Sequence, residues 1–313
     1  MNTIQVNDLR KHYGMVQALN GLNLEVPAGS IYGFLGPNGA GKTTTLRILA
    51  GLAKADSGKV TIDGEAGLDS GRTSIHVGYL PEEPAFYTWM TPLEFLDYVG
   101  EIFHLERKTR KQRASELIEI CGLKEAQKRK IGGFSHGMRQ RLGFAQAMMN
   151  KPNVLLLDEP VSALDPAGRK EILELILSLR GERTVLMSTH ILADVERVCD
   201  TIGIIYKGSL VIQAERGELL NRYAVSAIEI ELANGSIGSI DDVAGQIRQI
   251  EGVSSVTRDQ NVLRIQAPDV QSVSQRLMQA ISDERIQINR FEVVRPSLED
   301  IFMQLTGEGR VQA

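Results

Sequence analysis

The stretch Gly36-Pro37-Asn38-Gly39-Ala40-Gly41-Lys42-Thr43 constrains this chain more than any other. It has the spacing G-x-x-x-x-G-K-[ST] of a loop that cradles phosphates. Ile31-Tyr32-Gly33-Phe34-Leu35 before it reads as a buried strand, and Thr44 to Ala50 after it reads as a helix. In that setting the glycines let backbone N–H groups converge on an anion. The start of the helix adds its positive dipole end. Lys42 has the length to reach the outer phosphates, and the Thr43 hydroxyl suits Mg²⁺. The loop alone implies a bound nucleoside triphosphate without saying what is done with it.

More chemistry falls where other apolar runs end. Val154-Leu155-Leu156-Leu157 runs into Asp158-Glu159-Pro160. An all-apolar run of that length is the signature of a parallel strand covered on both faces. Its C-terminal end lies where ligands bind in a doubly wound sheet. Asp158 is suited to hold Mg²⁺, and Glu159 to activate a water as general base; a purely structural pair of acids is the alternative. Thr184 to Ser188 is the next core strand, with Thr189-His190 at its end. A lone histidine is more often structural, but the end of a core strand on the nucleotide side favours a functional one. Tyr13, placed on a loop before Gly14, either packs or stacks on a base. Ser135 is a good N-cap for a helix beginning in His136 to Arg141; the N–H groups after it could also bind a second anion. Ser162 to Pro166 reads as a turn leading into a helix to Arg180.

Around these motifs the pattern is α/β. Ile4–Leu9, Leu22–Val26, Val60–Gly64 and Ile75–Leu80 read as strands. From Thr91 to Leu123 the period turns helical, with an apolar face of Leu93, Leu96, Tyr98, Val99, Ile102 and Phe103, continued by Leu117, Ile118 and Ile120. The expected core is residues 1–220 with a helical insertion at about 84–150. Thr201–Tyr206 and Leu210–Ala214, turned at Lys207-Gly208, close its sheet. Beyond Arg216 no motif chemistry recurs. Ala227–Leu232, Asp242–Ile250, Val253–Gln266, Val270–Ile281 and Ile286–Val294 alternate in a β-α-β-β-α-β order. That order predicts a small ferredoxin-like α+β domain over 221–313. A capping-box helix from Ser297 should bury Ile301, Phe302 and Leu305, with frayed residues from Gly307.

Composition narrows the partners. The chain has 313 residues and a formal net charge of −4, so no general attraction to nucleic acid or anionic lipid is expected. The basic run Arg107 to Arg113 reads first as a solvated helix start, and second as a contact for a local anionic partner. The two cysteines, Cys121 and Cys199, have no ligand-type spacing; a reduced, intracellular location fits. Neither a signal-peptide core nor the roughly 18 uninterrupted apolar residues of a membrane span is present. A soluble chain is expected, unless a partner holds it at a membrane.

The phosphate loop, the Ser135 loop, the Asp158-Glu159 strand, the Ser162–Asp165 turn and His190 follow one another in a fixed order. In that set the chain resembles the ATP-binding subunit of an ABC transporter over residues 1 to about 220. Pro296 to Phe302 with Leu305-Thr306-Gly307 resembles the C-terminal extension of the drug-exporter branch. The resemblance implies a P-loop ATPase fold, hydrolysis of ATP with Mg²⁺, and a role for each matching residue. Tyr13 would stack on adenine. Gly36, Pro37, Asn38, Gly39, Ala40, Gly41, Lys42, Thr43 and Thr44 would hold the phosphates and the metal. Asp158 and Glu82 would serve Mg²⁺, Glu159 would be the base, and His190 would touch the γ-phosphate. Ser135 and Gly137 would bind the γ-phosphate held by the opposite subunit, and Asp165 would signal across the interface. The partners implied are a second ATPase subunit and a membrane-spanning permease, with no nucleic acid. The place implied is the cytoplasmic face of the cell membrane, and the cargo an exported drug, lipid or polymer. Two positions depart from the family pattern. Phe134-Ser135-His136-Gly137-Met138 stands for Leu-Ser-Gly-Gly-Gln, and Glu82 follows Pro81 where glutamine is usual. The alternatives are a soluble, non-transport ATPase of the same superfamily and a nucleotide-dependent regulatory module. A single phosphate loop and the absence of long coiled coils weigh against the first, and Glu159 against the second.

Overall fold

In the computed structural model the chain divides into two compact units, Met1–Arg216 and Gly217–Ala313. The residues described are 2–66, 77–162, 164–222, 227–233, 240–283, 286–294 and 298–306. Ile75 and His76 of the expected strand, Ser297 of the expected capping box and the tail from Gly307 lie outside them.

The first unit opens with β1 (Asn2–Tyr13) and β2 (Val16–Pro27), an antiparallel pair longer than the sequence pattern suggests. Alternation carries only one face inward, and bulges between Val6 and Leu9 bend the ladder at Asp8, whose φ is 46°. Tyr13 is therefore the last residue of a strand, paired with Val16, and not a loop residue. The strand β3 (Ile31–Leu35) leads through the phosphate loop into α1 (Lys42–Leu49). That helix begins earlier than expected, so Lys42 and Thr43 stand in its first turn. Next come β4 (Ser57–Ile62), the short β5 (Glu65–Ala66) and β6 (Val77–Leu80).

The helical insertion follows as α2 (Pro92–Ile102), α3 (Arg107–Ile120) and α4 (His136–Ala147). Thr91 starts α2 with a reciprocal capping box: its hydroxyl accepts from the Glu94 N–H at 3.3 Å, and its own N–H donates to Glu94 Oε2 at 2.8 Å. Arg110 ties α3 to α2 through Asp97 at 2.8 Å. The apolar face is narrower than its periodicity suggests. Phe95, Leu96 and Val99 are buried, whereas Tyr98, Ile102 and Ile120 are exposed.

The core resumes with β7 (Val154–Asp158), α5 (Pro166–Ser178), β8 (Thr184–Thr189), α6 (Leu192–Val198), β9 (Thr201–Tyr206) and β10 (Ser209–Glu215). No periodicity had signalled the short α6. The large sheet runs β10-β9-β3-β8-β7-β6, with β10 antiparallel at its edge and the neighbouring strands parallel. A second sheet runs β2-β1-β4-β5. The strands β3, β7 and β8 are buried along their whole length, as both faces of a parallel sheet must be. Ile4, Val6, Leu24 and Val26 from the second sheet join Tyr32, Phe34 and Leu156 from the first, with Leu46 and Ile48 of α1, in one core. Each large side chain so buried contributes about 1.5–3 kcal/mol.

The second unit begins in α7 (Arg216–Arg222) and continues β11 (Ala227–Leu232), α8 (Ile240–Arg248), β12 (Ser255–Asp259), β13 (Val262–Gln266), α9 (Val270–Asp283), β14 (Ile288–Val294) and α10 (Leu298–Thr306). Its sheet runs β12-β13-β11-β14 with every neighbouring pair antiparallel, which is the split β-α-β arrangement. Ile228, Ile230, Leu263 and Ile265 face Val243, Ile247, Val273 and Leu277 of α8 and α9. The opposite face carries charges, with Arg290 3.2 Å from Glu229.

Gly78 shows how closely β6 approaches the insertion. A Cβ there would strike the backbone carbonyl of Ala147 at the end of α4, and Leu155 and Pro152 at 2.9 Å. A carbonyl cannot rotate away as a side chain can. Gly78→Ala is therefore expected to destabilise the protein by about 1–3 kcal/mol. Thermal unfolding checks this; an unchanged midpoint would mean that α4 is free to shift.

Candidate active site

Parallel register brings the motif residues to one edge of the large sheet. Leu35, the residue before the phosphate loop, lies opposite Thr189 on one side and Ile204 on the other. Asp158 lies opposite Ser188. The chain therefore leaves β3, β7 and β8 at one level, so that Gly36, Glu159 and His190 start their loops together. Crevices at the C-terminal ends of such strands are where open α/β sheets bind ligands.

A cleft of about 490 Å³ opens there, lined by Val16, Ala18, Pro37, Asn38, Gly39, Gly41, Lys42, Thr43, Thr44, Glu82, Glu159 and His190. That volume suits a small-molecule ligand. Gly36 and Ala40 shape the loop from behind the lining. Gly41, at φ 111°, has the Ala18 carbonyl 2.7 Å from where a Cβ would stand, so no side chain fits between loop and β2. Asp158 lies beneath the cleft floor, 1% exposed.

Lys42 is folded against its own loop. Its Nζ donates to the Gly36 carbonyl at 2.6 Å and the Pro37 carbonyl at 3.2 Å, and lies 3.6 Å from Glu159 Oε1. Burial pushes the ammonium pKa down, against the opposing pull of Glu159, Asp158 and Glu82. Desolvation is the larger effect, so an anion entering the cleft would be stabilised by a charge that its present neighbours do not fully compensate.

Glu159 stands just past the end of β7 with φ 46°. A left-handed conformation in a non-glycine residue costs about 1–3 kcal/mol and is kept where surrounding structure enforces it. Here the enforcing contacts are two: the Glu159 N–H donates to Ser188 Oγ at 3.1 Å and to the Ser188 carbonyl at 3.2 Å. The strained turn aims the carboxylate at the cleft, where both oxygens lie 3.0 Å from His190 Nδ1. An ionised carboxylate only accepts, so Nδ1 carries the proton and Nε2 remains for a ligand.

Asp158 provides the strongest indication of a cation. Oδ1 accepts from Thr43 Oγ1 at 3.1 Å and from Ser188 Oγ at 2.6 Å. Oδ2 is buried with no hydrogen-bond partner among the described residues. An orphaned carboxylate oxygen beside a threonine hydroxyl, with Glu82 across the cleft, is an all-oxygen donor set that fits a hard divalent cation. No cluster of three or more histidine, cysteine or acidic ligands exists among the described residues, so protein groups alone do not complete such a site.

Four residues fall outside this cleft. Tyr13 is half exposed, with the Lys11 ammonium 5.2 Å from its ring centre. Ser135 caps α4, its hydroxyl accepting from the Met138 N–H at 3.3 Å, and half-buried Gly137 lies in the first turn after it. Asp165 caps α5, Oδ1 accepting from the Gly168 N–H at 3.2 Å. One contributor was not singled out from the sequence. Ser188 holds both Asp158 and the Glu159 turn, and its only sequence signal is a hydroxyl at the inner end of the apolar run Val185-Leu186-Met187. Ser188→Ala should remove about 1–3 kcal/mol through the buried groups it leaves unpaired. Denaturant unfolding measures this directly; a curve superimposable on the parent's would show that the Ser188 carbonyl holds the turn unaided.

Comparison with known proteins agrees with this geometry. Residues 19–162 match the family model described as ABC transporter, and residues 215–306 match that of the ATP-binding protein DrrA1-3-like, C-terminal domain. An uncharacterized ABC transporter ATP-binding protein of Bacillus subtilis, YxlF, is 36% identical over 96% of this chain and 99% of its own length. The bacitracin transport ATP-binding protein BcrA of Bacillus licheniformis is 35% identical over 98% of both chains. Among solved structures, the ATP binding subunit of an ABC transporter matches 71% of this chain and 93% of its own, with TM-score 0.65 and 27% identity. The dimeric structure of the ATP-binding cassette MJ0796 in a post-hydrolysis state, bound to ADP and Pi, matches 68% of this chain and 98% of its own, with TM-score 0.63 and 26% identity. The chain belongs to the ATP-binding subunits of ABC transporters, and it is an ATP hydrolase with a DrrA1-3-like C-terminal domain.

Proposed function

We propose that this subunit hydrolyses Mg²⁺-ATP at a site completed by a second copy, and that the cycle drives a separate membrane-spanning permease exporting a drug-like, lipid or polymer cargo. The observation that carries the composite site is the division of the motif residues. Lys42, Thr43, Glu82, Glu159 and His190 line one cleft, whereas Ser135, Gly137 and Asp165 lie at helix starts outside it. Residues with no work in their own cleft are accounted for if they serve that of the partner. A dimeric cassette among the structural relatives supports this reading.

In the proposed site the loop Gly36 to Thr44 holds the phosphates through its N–H groups and Lys42. Thr43, Asp158 and Glu82 would hold Mg²⁺, which supplies charge neutralisation of the phosphates. The need for a cation follows from charge. Asp158, Glu159 and Glu82 face the single ammonium of Lys42 before any phosphate enters, and like charges at close range need a cation between them. Glu159 accepts the proton of the attacking water. His190, its Nδ1 held by Glu159, turns Nε2 toward the γ-phosphate. Tyr13 stacks on adenine from the end of β1. Export as the direction of transport is supported by the C-terminal match and by relatives named for bacitracin transport, linearmycin resistance and daunorubicin resistance. A separate permease is in keeping with the lack, among the described residues, of any helix long and apolar enough to cross a membrane. The exposed aromatics Tyr87, Trp89 and Tyr98 form one patch on the insertion just past Glu82, where that partner would dock.

Glu159→Gln should bind ATP yet lose about 10²–10⁴-fold in turnover, and should dimerise with saturating ATP and Mg²⁺. Steady-state hydrolysis and light scattering read the two effects; parent-level turnover refutes the base, and a strict monomer at high concentration refutes the composite site. A second expectation separates neighbours. Glu82 lines the cleft and Glu83 is exposed outside it. Glu82→Gln, which keeps an oxygen ligand, should retain most Mg²⁺-dependent activity; Glu82→Ala should lower it and weaken coupling to the reconstituted permease. Glu83→Ala should do neither. Equal activity in Glu82→Ala and the parent would return Glu82 to the surface.

A further inference from the structure

Two helices follow proposed site residues without touching the cleft through their bodies, and a largely buried ion pair joins them. Asp165 caps α5, and the Arg169 N–H donates to the Asp165 carbonyl at 2.9 Å, so Arg169 stands one turn on. Its Nε and Nη2 both reach Asp194 Oδ1 at 2.7 Å. Asp194 lies in the first turn of α6, its N–H donating to the Ile191 carbonyl at 3.2 Å, directly after His190. The Asp194 side chain is 2% exposed, and its Oδ2 has no hydrogen-bond partner among the described residues. Burial pushes this carboxyl pKa up, and the hydrogen bond and charge of Arg169 oppose it only in part. Arg169 is thus the main group offsetting the burial of this acid.

A pair of this kind is a poor source of stability, because desolvation offsets the attraction and apolar residues of similar size pack as well. What a guanidinium offers instead is direction, since two N–H groups of one rigid plane converge on Asp194 Oδ1, which a single ammonium cannot reproduce. We infer that Arg169 and Asp194 are positioning residues for hydrolysis: their pairing locks the start of α5, capped by Asp165, to the first turn of α6, which follows His190. Movement of Asp165 by a second subunit is then transmitted through α5 to Asp194, and from there to His190, whose Nδ1 lies on Glu159. The base and its histidine are aligned only when the interface residue is seated. The exposed pair Glu174–Arg197, at 3.5 Å, also joins the two helices, but it lies in solvent where such pairs contribute little.

This inference rests on the roles proposed for Asp165 and His190, and the test separates the two. The full chain is assayed for ATP hydrolysis against ATP concentration, with thermal unfolding alongside. Arg169→Lys keeps the charge and loses the fork; the double variant Arg169→Met with Asp194→Leu removes both charges and restores packing. Both should fold and keep the parent KM, while kcat falls by roughly ten- to a hundredfold, the scale of a misplaced catalytic group. Glu174→Gln should leave both parameters unchanged. A double variant with a kcat within about twofold of the parent, or a kcat loss matched by an equal loss of folded protein, overturns the inference. Where His190→Ala itself turns over at the parent rate, the role of His190 falls and takes the inference with it. A slow His190→Ala beside a fast double variant sinks the inference alone.

Discussion

The carboxylate of Asp158 is the point on which the first unit turns. It ends a fully buried strand, and its Oδ1 is shared by Thr43 of α1 and Ser188 of β8. Those two bonds join the phosphate-loop helix, the acid strand and the histidine strand at a single oxygen. A carboxyl group taken this far from water is tolerated only when hydrogen-bond donors surround it. The requirement therefore pulls three loops into register. It also leaves Oδ2 unsatisfied, which is an unfavourable state that a cation would relieve.

A second tension lies directly above. Glu159 is held in a left-handed turn by Ser188, aimed at both Lys42 and His190. The lysine is turned back on two loop carbonyls and lies 3.6 Å from the acid. Loop, helix start and acid strand are thereby tied together through one side chain.

Much of this was legible in the residues. The phosphate loop, the apolar strands and the polar residues at their ends follow from local rules. Gly41 must be glycine because of its φ and the Ala18 carbonyl, and a run such as Val154–Leu157 has only one comfortable place in an α/β sheet. The β-α-β-β-α-β pattern of the second unit was equally readable from its alternation. Less legible was anything decided by a neighbour distant in sequence. Tyr98, Ile102 and Ile120 fit an apolar helical period yet lie exposed, because periodicity shows that a face exists and not how much of it the next helix covers. The strand β1 extends to Tyr13 because β2 pairs with it that far, which no window around Tyr13 contains.

By itself the sequence determined the chemistry of this protein and the order in which it occurs along the chain: a glycine loop with Lys42 and Thr43, two acids after an apolar run, a histidine after the next. Side-chain type and spacing suffice for that, since phosphate binding and strand burial are local demands on backbone conformation and polarity. Only the tertiary structure decided which of these residues meet. The parallel register of β3, β8 and β7 places Ser188 under Asp158 and His190 against Glu159, while Ser135 and Asp165 become caps of helices outside the cleft. Pairings such as Ser188 with Asp158 and Arg169 with Asp194 span some 25 to 30 positions of chain. Hydrogen-bond geometry at that separation is set by how whole strands and helices pack, and a linear pattern carries no record of it.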